Sequence, residues 1–387
     1  MTQPIKVCFL TYRLQIGGAE RQIGLIASRL DRTKFDPVVI TAYSGGGLEE
    51  DLMRSGVRIV SAAKRGRLDI IGFWLRLARI VRQERPDIVY SMSDYANVLG
   101  QTLRTLGGHY KTIWGLRASD NKPWERGIVW YGVFRLARFM SRWSDRMISN
   151  SEAGLNYYRK AGFHTRSAIV IPNGIEIDRN APNRNMREAA RREWEVGDEF
   201  VVGFFSRIQP KKDLPCFLAA ASELVDQPGI RFVVAGSDGS RYAADLKEKA
   251  ATELPRLIWL GERLDAPVVM NGFDMYCLTS AYGEGHPNTL GEAMAVGLIV
   301  AASDCGDARQ MIGDDDWVFG PGDYRHMAEL IRRAAALSPE ERHDIAARNR
   351  RRAIAEFSEG KLIEETQMQL SLLAAEGRST SWSSDGR

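Results

Sequence analysis

Apolar and polar positions alternate along the chain in two successive series of strand and helix patterns. In the first half, short apolar runs predict strands at residues 5–10, 35–42, 57–61, 87–91, 112–116 and 146–150. Apolar residues spaced three to four positions apart predict helices at 19–30, 70–84 and about 125–144. Strands that alternate with helices in this way are typical of a doubly wound parallel sheet.

A second series follows a segment, 169–183, that contains two prolines and reads as a last strand plus a linker. Its predicted strands lie at 200–205, 231–235, 257–260, 275–278 and 299–303. The fold class is therefore α/β, with two Rossmann-like domains at 1–180 and 181–358. A helix is predicted at about 359–376, and the polar residues 377–387 are predicted to be a disordered tail.

Composition agrees with a soluble two-domain protein. The chain has 387 residues, 44% of them hydrophobic and 26% charged. Its four cysteines are scattered, and none forms a C-x-x-C pair, which argues against a disulfide framework or a zinc site. The start of the chain lacks the pattern of a signal peptide, and the longest apolar run, 293–302, is about half of a membrane span. We therefore expect a protein that lies in the cytoplasm, where it can also bind at the inner face of the membrane.

Charge is distributed unevenly between the two halves. Residues 1–180 contain 28 Lys and Arg against 16 Asp and Glu, a net charge of +12, whereas the remainder carries −8. The first domain therefore suits an anionic partner, for which nucleic acid, anionic lipid and a phosphate-bearing lipid acceptor are candidates. Segment 124–146 mixes aromatic residues with arginines. It indicates either the edge of an anionic membrane or a helix that buries its aromatic residues and exposes its arginines.

Two carboxylates, Glu284 and Glu292, flank seven residues where a loop becomes a helix. Asn288 is a favourable N-cap, so a helix is predicted at 289–296, and its first N–H groups would form an anion site. An anion site with a carboxylate on each side suits a ligand with central phosphates and hydroxyl-rich ends, as in a sugar nucleotide. The simpler alternative is an acidic loop that precedes an amphipathic helix.

Two further segments could meet phosphate. Gly17 and Gly18 follow the first strand and open a helix, which either brings backbone close to a ligand or makes a plain tight turn. Arg207 and Lys212 lie five residues apart after the first strand of the second domain. Both side chains can converge on one diphosphate, or they can be solvated loop charges.

These segments closely resemble the signatures of retaining glycosyltransferases of family 4, and the resemblance covers nearly the whole chain. It implies the GT-B architecture, in which two Rossmann-like domains face each other across a cleft and the last helix crosses back to the first domain. The first domain would bind the acceptor, and the second would bind a UDP- or GDP-linked sugar. No metal or other cofactor is expected, since basic side chains and a helix terminus can stabilise the leaving diphosphate.

The resemblance also implies roles for individual residues. Arg207 and Lys212 would neutralise the diphosphate, Glu284 would lie beside the transferred sugar, and Glu292 would bind the ribose hydroxyls. Backbone contacts to the donor would come from Gly285, Asn288, Thr289 and Leu290. Gly17 and Gly18 would border the donor diphosphate and the acceptor.

The first domain departs from the family pattern, because no histidine follows the strand that begins at Pro86 and Asp87. Its best-placed polar residues for an acceptor are Asp94, Asn97 and Arg117, although each could equally be a helix cap or a strand end. In the second domain, Asp213 stands where the family often has glycine. We expect His286 to pack or hydrogen-bond within the donor loop, and Asp314–Asp316 to form a solvated turn instead of a metal site.

The sequence thus predicts a retaining transferase that moves a sugar from a nucleotide diphosphate to a hydroxyl of a glycan or a lipid-linked acceptor. Assembly of surface polysaccharide or lipopolysaccharide is the expected setting, and no nucleic-acid partner is expected. Two alternatives remain open at this point. One is another GT-B enzyme, such as a sugar-nucleotide epimerase, and the other is a non-catalytic subunit that binds the nucleotide sugar.

Overall fold

The computed structural model describes residues 3–381 except 16, 67, 121, 123, 126 and 238, with backbone alone for 378–381. Within these residues the chain divides into two compact units. Unit 1 runs to Gly174 and resumes at Gly360, and unit 2 comprises Ile175–Glu359. The division falls a few residues before our expected boundary at 180. Ile175 is buried in the core of unit 2, where its N–H donates to Phe357 O over 2.7 Å.

Unit 1 is built on a parallel sheet of seven strands in the order β3-β2-β1-β4-β5-β6-β7. The strands are β1 Ile5–Thr11, β2 Phe35–Thr41, β3 Arg58–Ser61, β4 Ile88–Ser91, β5 Lys111–Leu116, β6 Arg146–Ser149 and β7 Ala168–Val170. The chain order changes direction between β1 and β4, which is where doubly wound sheets form ligand crevices.

Helices cover both faces of this sheet. They are α1 Gly18–Arg29, α2 Glu49–Arg54, α3 Ile71–Glu84, α4 Asp94–Thr105, α5 Ile128–Met140, α6 Glu152–Lys160 and, from the end of the chain, α15 Glu359–Ser381. Apolar residues of α1 and α15 share one cluster, and α3, α4, α5 and α6 contribute to clusters on the other side. Leu362, Leu370 and Leu373 are buried in the first cluster, which confirms that the last helix returns to the first domain.

Unit 2 has a parallel sheet of six strands in the order β10-β9-β8-β11-β12-β13. The strands are β8 Phe200–Phe205, β9 Ile230–Ala235, β10 Ile258–Gly261, β11 Met275–Leu278, β12 Ile299–Ser303 and β13 Val318–Phe319. The helices are α7 Arg184–Glu193, α8 Leu214–Ser222, α9 Arg241–Glu253, α10 Ala266–Gly272, α11 Asn288–Val296, α12 Ala308–Ile312, α13 Tyr324–Ala336 and α14 Pro339–Phe357.

The predicted pair of doubly wound domains is confirmed. Both sheets are buried on their two faces, which explains the nearly continuous apolar runs that predicted the strands. Because the strands are parallel, all strands of a sheet end at the same carboxyl edge. The loops that follow this edge contain most of the predicted site residues.

Local details differ from the sequence predictions. Helix α11 begins at Asn288, so Pro287 occupies the N-cap position and Asn288 does not cap the helix through its side chain. Helix α15 continues through Ser381, so the first residues of the predicted disordered tail are helical, and residues 382–387 lie outside the described residues. No helix in the described part of the chain combines the length and apolar character that a membrane crossing requires.

Candidate functional site

The predicted donor residues come together at the carboxyl edge of the unit 2 sheet. The loop after β8 contains Arg207 and Lys212, and the loop after β11 contains Glu284 and leads into α11. Strands β8 and β11 are neighbours although α8, β9, α9, β10 and α10 separate them in sequence. Their junction is the switch point of the sheet, where open α/β sheets bind ligands.

A buried ion pair joins these two loops. Lys212 Nζ pairs with Glu284 Oε1, and Ser280 Oγ donates to the same oxygen over 2.6 Å. The side chains of Lys212 and Glu284 are only 13% and 9% exposed. Burial favours the neutral carboxyl, but the charge and hydrogen bond of Lys212 outweigh burial and lower the pKa of Glu284. Glu284 is therefore a carboxylate at neutral pH, held at a fixed place.

Backbone contacts fix the same two loops against each other. Thr279 Oγ1 donates to Lys212 O over 2.8 Å, and Ala281 N donates to Lys211 O over 2.9 Å. Ser303 Oγ, at the end of β12, donates to Ser280 O over 2.6 Å. In each contact, a hydroxyl or a backbone amide at one strand end donates a hydrogen bond to a backbone carbonyl that follows the neighbouring strand. The ion pair consequently sits in a scaffold that orders it before any ligand arrives.

The backbone before α11 is also held closely. Asp307 N donates to Gly285 O over 3.0 Å. Gly306 has φ +64°, and a Cβ atom at this position would lie 2.4 Å from Glu284 O. Any other residue at 306 would therefore push the Glu284 backbone out of place. Glycine here allows two loops to pass within contact distance directly beside the candidate site.

Helix α11 presents its N-terminus at this edge. Its first intrahelical bond runs from Gly291 N to Pro287 O, so the N–H groups of Asn288, Thr289 and Leu290 precede the helical ladder. With the helix dipole behind them, these groups favour an anion. The helix therefore starts one residue earlier than the sequence predicted, and the anion site stays a prediction.

Glu292 lies one turn into α11, on the same side as Thr289, because residues three apart share a helix face. It is half-buried, whereas Leu290 is fully buried in the core and can offer only its backbone. Thr289 Oγ1 accepts a hydrogen bond of 2.8 Å from the buried hydroxyl of Tyr276. Burial raises the pKa of Tyr276, so this hydroxyl remains a neutral donor.

Arg207 differs from Lys212 in its surroundings. It is exposed, and within the described residues it has no ion-pair partner. Lys212 is already neutralised by Glu284, so Arg207 is the uncompensated charge of the predicted pair. A diphosphate at this edge would meet one free guanidinium and one ammonium that is shared with a carboxylate.

The predicted site residues of unit 1 are more dispersed. Gly17 precedes α1 with extended backbone at φ −139°, and Gly18 is its exposed first residue. A side chain at Gly17 would meet only the mobile end of Glu20, so the backbone there does not require glycine. The nearby Gln22 is buried and exchanges two hydrogen bonds of 2.9 Å with the backbone of Gly174.

The three acceptor candidates have separate surroundings. Asp94 begins α4 and accepts a bond of 2.9 Å from Tyr158 OH. Arg117 is half-buried and donates to Asn173 Oδ1 over 3.0 Å and Tyr90 OH over 3.1 Å.

Asn97 requires a correction. Its side chain is 0% exposed, and it accepts from Ser91 Oγ over 2.6 Å. The burial leaves no surface for an acceptor, so Asn97 supports the strand ends of β4 and β5 instead.

The acidic run Asp314–Asp316 is paired with arginines. Asp314 pairs with Arg348 over 2.7 Å, Asp315 pairs with Arg309, and Arg333 lies 4.0 Å from Asp316. Across the described residues, three or more His, Cys, Asp or Glu side chains do not gather in an arrangement that could hold a metal ion. His286 stacks edge-on against Phe357, with ring centroids 4.8 Å apart.

Sequence reasoning missed several residues of the site. Ser280 lies four residues before Glu284, but a serine at that spacing is common and predicts nothing by itself. Tyr276 resembles any other apolar strand residue until its hydroxyl is found against Thr289. The contacts of both residues can be recognised only from the tertiary structure, which brings β11 and the loop after it against Glu284 and α11.

Family models match both units of this chain. The model described as Glycosyltransferase Family 4 matches residues 16–179, and the model described as Glycosyl transferases group 1 matches residues 199–336. The two matches together cover most of the sequence, and each lies largely within one of the two units.

Two curated relatives illustrate the range of similar proteins. The Escherichia coli UDP-Gal:alpha-D-GlcNAc-diphosphoundecaprenol alpha-1,3-galactosyltransferase is 26% identical over 235 residues, 58% of this chain and 59% of that enzyme. The phosphatidyl-myo-inositol mannosyltransferase of Mycobacterium tuberculosis is 30% identical over 153 residues, 38% of each chain. The matched region thus spans less than two thirds of either relative.

Solved structures share the fold over nearly the whole chain. The crystal structure of Anabaena HepE in complex with UDP-glucose has a TM-score of 0.83 at 22% identity, covering 95% of this chain and 100% of that one. Sucrose-phosphate synthase from Thermosynechococcus elongatus has a TM-score of 0.80 at 16% identity, covering 96% and 100%. Because models of one family match both halves and the two Rossmann-like units agree with these structures, the chain belongs to glycosyltransferase family 4 and has the GT-B fold.

Proposed function

We propose that this protein transfers a sugar from a nucleotide diphosphate to an acceptor hydroxyl and retains the anomeric configuration. The observation that carries the proposal is the grouping at one sheet edge of unit 2. A buried carboxylate held ionised by Lys212, the uncompensated Arg207 and the first N–H groups of α11 lie on neighbouring loops. These groups match the charges and hydroxyls of a sugar nucleotide.

In the proposed reaction, Arg207, Lys212 and the start of α11 stabilise the charge that develops on the leaving diphosphate. Glu284 lies beside the transferred sugar, and Glu292 binds the ribose hydroxyls. The acceptor hydroxyl attacks the anomeric carbon from the face that the diphosphate leaves. The departing phosphate oxygen takes the acceptor proton, so the protein supplies orientation and charge in place of a covalent nucleophile.

The donor is a UDP- or GDP-linked sugar. Two observations on relatives support a nucleotide diphosphate: the E. coli enzyme is named for UDP-Gal, and Anabaena HepE was crystallised with UDP-glucose. A relative from M. tuberculosis, 24% identical over 313 residues, is named as GDP-mannose-dependent, which supports a GDP-linked sugar as the second candidate donor. The proposed chemistry needs no metal, since the cations of the protein fill that role.

The acceptor is a glycan or a lipid-linked glycan, in the assembly of surface polysaccharide or lipopolysaccharide. The names of the E. coli and M. tuberculosis relatives, which include a diphosphoundecaprenol and a phosphatidyl-inositol, support this class. Such an acceptor would place the protein in the cytoplasm, at the inner face of the membrane.

Helix α5 supports contact with that membrane. Phe134 and Met140 are buried, but a larger set of its apolar side chains faces outward, and we call this set the α5 face: Ile128, Val129, Trp130, Tyr131, Leu136, Phe139 and, just beyond the helix, Trp143. Between Glu125 and Asp145 the sequence has arginines and no carboxylate. An apolar face bordered by cations suits an anionic bilayer surface.

The donor site can be tested by thermal unfolding with UDP, GDP, UDP-glucose and GDP-mannose, without added metal, for the wild type and Glu292→Ala. We expect one nucleotide to raise the wild-type midpoint and to give a clearly smaller shift in Glu292→Ala, since a charged hydrogen bond to ribose contributes about 1.5–3 kcal/mol. Glu188→Ala, an exposed carboxylate on α7 with an ordinary surface ion pair, is the matched control and should respond as wild type.

Equal shifts in wild type and Glu292→Ala would refute the ribose assignment. A lack of response to all four ligands would refute the donor site itself. Once a donor and an acceptor are found, the anomeric proton coupling of the product, read by NMR, decides between retention and inversion.

A further inference from the structure

Three tyrosines line the carboxyl edge of the unit 1 sheet. Tyr12 follows β1, Tyr43 lies two residues after β2, and Tyr95 is in the first turn of α4, which follows β4. Strands β2, β1 and β4 are adjacent in that order. Three separate stretches of sequence therefore supply one aromatic ring each to the same row, which includes the switch point between β1 and β4.

The Tyr12 ring contacts both of the other rings edge to face. The centroid of Tyr12 lies 5.0 Å from that of Tyr43, at 64°, and 5.8 Å from that of Tyr95, at 81°. A hydrogen bond with Tyr43, together with burial, raises the pKa of Tyr12 to about 12, so its hydroxyl is neutral. Tyr12 is nonetheless 46% exposed, whereas its two neighbours are half-buried. The neighbours hold the Tyr12 ring in position and leave part of it open.

A cation borders this row. The Cζ atom of Arg13 lies 5.1 Å from the centroid of the Tyr43 ring. Among the residues described, none forms an ion pair with Arg13, and its Nε is buried without a hydrogen-bond partner. A guanidinium without an ion pair gains from an anionic ligand, because the ligand supplies the opposite charge that the protein does not provide.

We propose that Tyr12, Tyr43, Tyr95 and Arg13 form a subsite for a sugar ring of the acceptor, and that this sugar has an anionic group. This inference rests on the proposed function and names the acceptor chemistry. One face of a pyranose presents C–H groups that pack on an aromatic ring, and its rim presents hydroxyls that meet tyrosine hydroxyls. The phosphate or carboxylate of the sugar would pair with Arg13.

Other classes of ligand would fit this cluster less well. A purely apolar ligand would leave the tyrosine hydroxyls and Arg13 without partners. A bare anion would need no exposed aromatic ring. A charged saccharide uses both features, and it matches the acceptor class that the relatives support.

The test is an NMR titration of the full-length protein with three saccharides, observed by saturation transfer to the sugar protons. The probes are methyl α-glucopyranoside, glucose 6-phosphate and methyl glucuronide, so that a neutral ring, a phosphate and a carboxylate are compared. The variants are Tyr12→Ala, Tyr12→Phe and Arg13→Gln. Leu75→Ala, which removes an exposed apolar side chain from α3 of the same unit, is the matched control.

We expect the two anionic sugars to bind about tenfold more tightly than the neutral one, the effect of one charged hydrogen bond. Tyr12→Ala should weaken binding of all three by about tenfold, within the range of lost aromatic contacts, and Tyr12→Phe should restore most of it. Arg13→Gln should remove only the advantage of the anionic sugars. Leu75→Ala should bind as wild type.

Equal binding to Tyr12→Ala and wild type would overturn the subsite, as would failure of the wild type to bind all three sugars. Equal affinities for neutral and anionic sugars would overturn the role of Arg13. The shift in unfolding midpoint with UDP or GDP tests the donor site of unit 2, so it distinguishes failure of this inference from failure of the proposed function. A normal UDP or GDP response alongside a negative titration refutes the subsite alone, whereas a positive titration without any nucleotide response refutes the donor site alone.

Discussion

The carboxyl edges of the two sheets differ in the chemistry of the side chains that they present. In unit 2 the edge is electrostatic, with Lys212 and Glu284 paired and buried and their loops tied together by backbone hydrogen bonds. In unit 1 the edge is aromatic and more open, with tyrosines and a guanidinium that lacks an ion pair among the described residues. A diphosphate needs a fixed set of charges, whereas an acceptor sugar needs a shaped and partly apolar surface.

This difference explains why the sequence contains a recognisable motif for the edge of unit 2 but not for that of unit 1. Charges that bind one phosphate group must lie close together, and the loops after two strands of unit 2 supply nearly all of the residues proposed for this role in short segments. The edge proposed for the acceptor in unit 1 collects single residues from several strand ends. A family resemblance can therefore identify the first edge from spacing, while the second has no spacing to recognise.

The largest expected effect comes from breaking the buried pair of unit 2. Lys212→Met leaves Glu284 buried without its cation, so the free energy of unfolding should fall by about 3–5 kcal/mol. Donor-dependent turnover should also fall by at least about a hundredfold, because the diphosphate loses a stabilising charge. Urea unfolding and initial rates measure the two losses.

The double variant Lys212→Met with Glu284→Gln is the control for this prediction. It removes the uncompensated charge and should recover much of the stability without recovering turnover. If Lys212→Met unfolds like wild type, the ion pair does not have the structural role assigned to it.

Arg207→Ala should separate chemistry from stability at the same edge. Because Arg207 is exposed and has no described ion-pair partner, its loss should change the free energy of unfolding by less than about 0.5 kcal/mol. Turnover should nevertheless fall by about 10²–10³-fold, as when one donor to a developing anion is removed. Arg192→Ala, another exposed arginine of unit 2, should leave turnover unchanged, and a similar loss in both variants would contradict a specific role for Arg207.

The smallest expected effect concerns the outward side of unit 1. Ile128→Ser with Trp130→Ser removes two apolar side chains from the α5 face, which are 86% and 46% exposed. Sedimentation with vesicles of phosphatidylcholine and phosphatidylglycerol should show binding that is at least about thirtyfold weaker than in wild type, since each of the two apolar side chains that the lipid would bury contributes on the order of 1 kcal/mol or more.

Leu264→Ser, a single exposed leucine of unit 2, is the control and should sediment as wild type. Wild-type binding should weaken with salt and with vesicles that lack the anionic lipid. Retention of vesicle binding by the double variant would remove the α5 face from the proposal.

Much of the architecture could be predicted because burial leaves a periodic trace in sequence. Strands such as β8 and β11 are apolar throughout, as expected for strands covered on both faces, and their predicted bounds match the structure. Element ends were less predictable. Pro287 has no N–H and extended backbone, so it occupies the cap position and α11 begins at Asn288.

The acceptor candidates show where sequence reasoning fails. Asn97 is a predicted acceptor residue because it is polar and follows a predicted strand, but its place on α4 turns it toward Ser91 and full burial. Tyr12 and Tyr43 follow apolar strands, and nothing in their local sequence indicates that their rings share one edge of the sheet. Whether a side chain points inward or outward depends on packing between elements that are distant in sequence.

Local periodicity and short spacing encode the two α/β series, the family resemblance and the segments that contain Arg207, Lys212, Glu284 and Glu292. The packing of two loops pairs Lys212 with Glu284 and leaves Arg207 uncompensated. Tertiary packing also encloses Asn97 and brings three tyrosines that follow separate strands to one edge. These outcomes depend on strand order and burial, which bring together residues that the linear chain keeps apart.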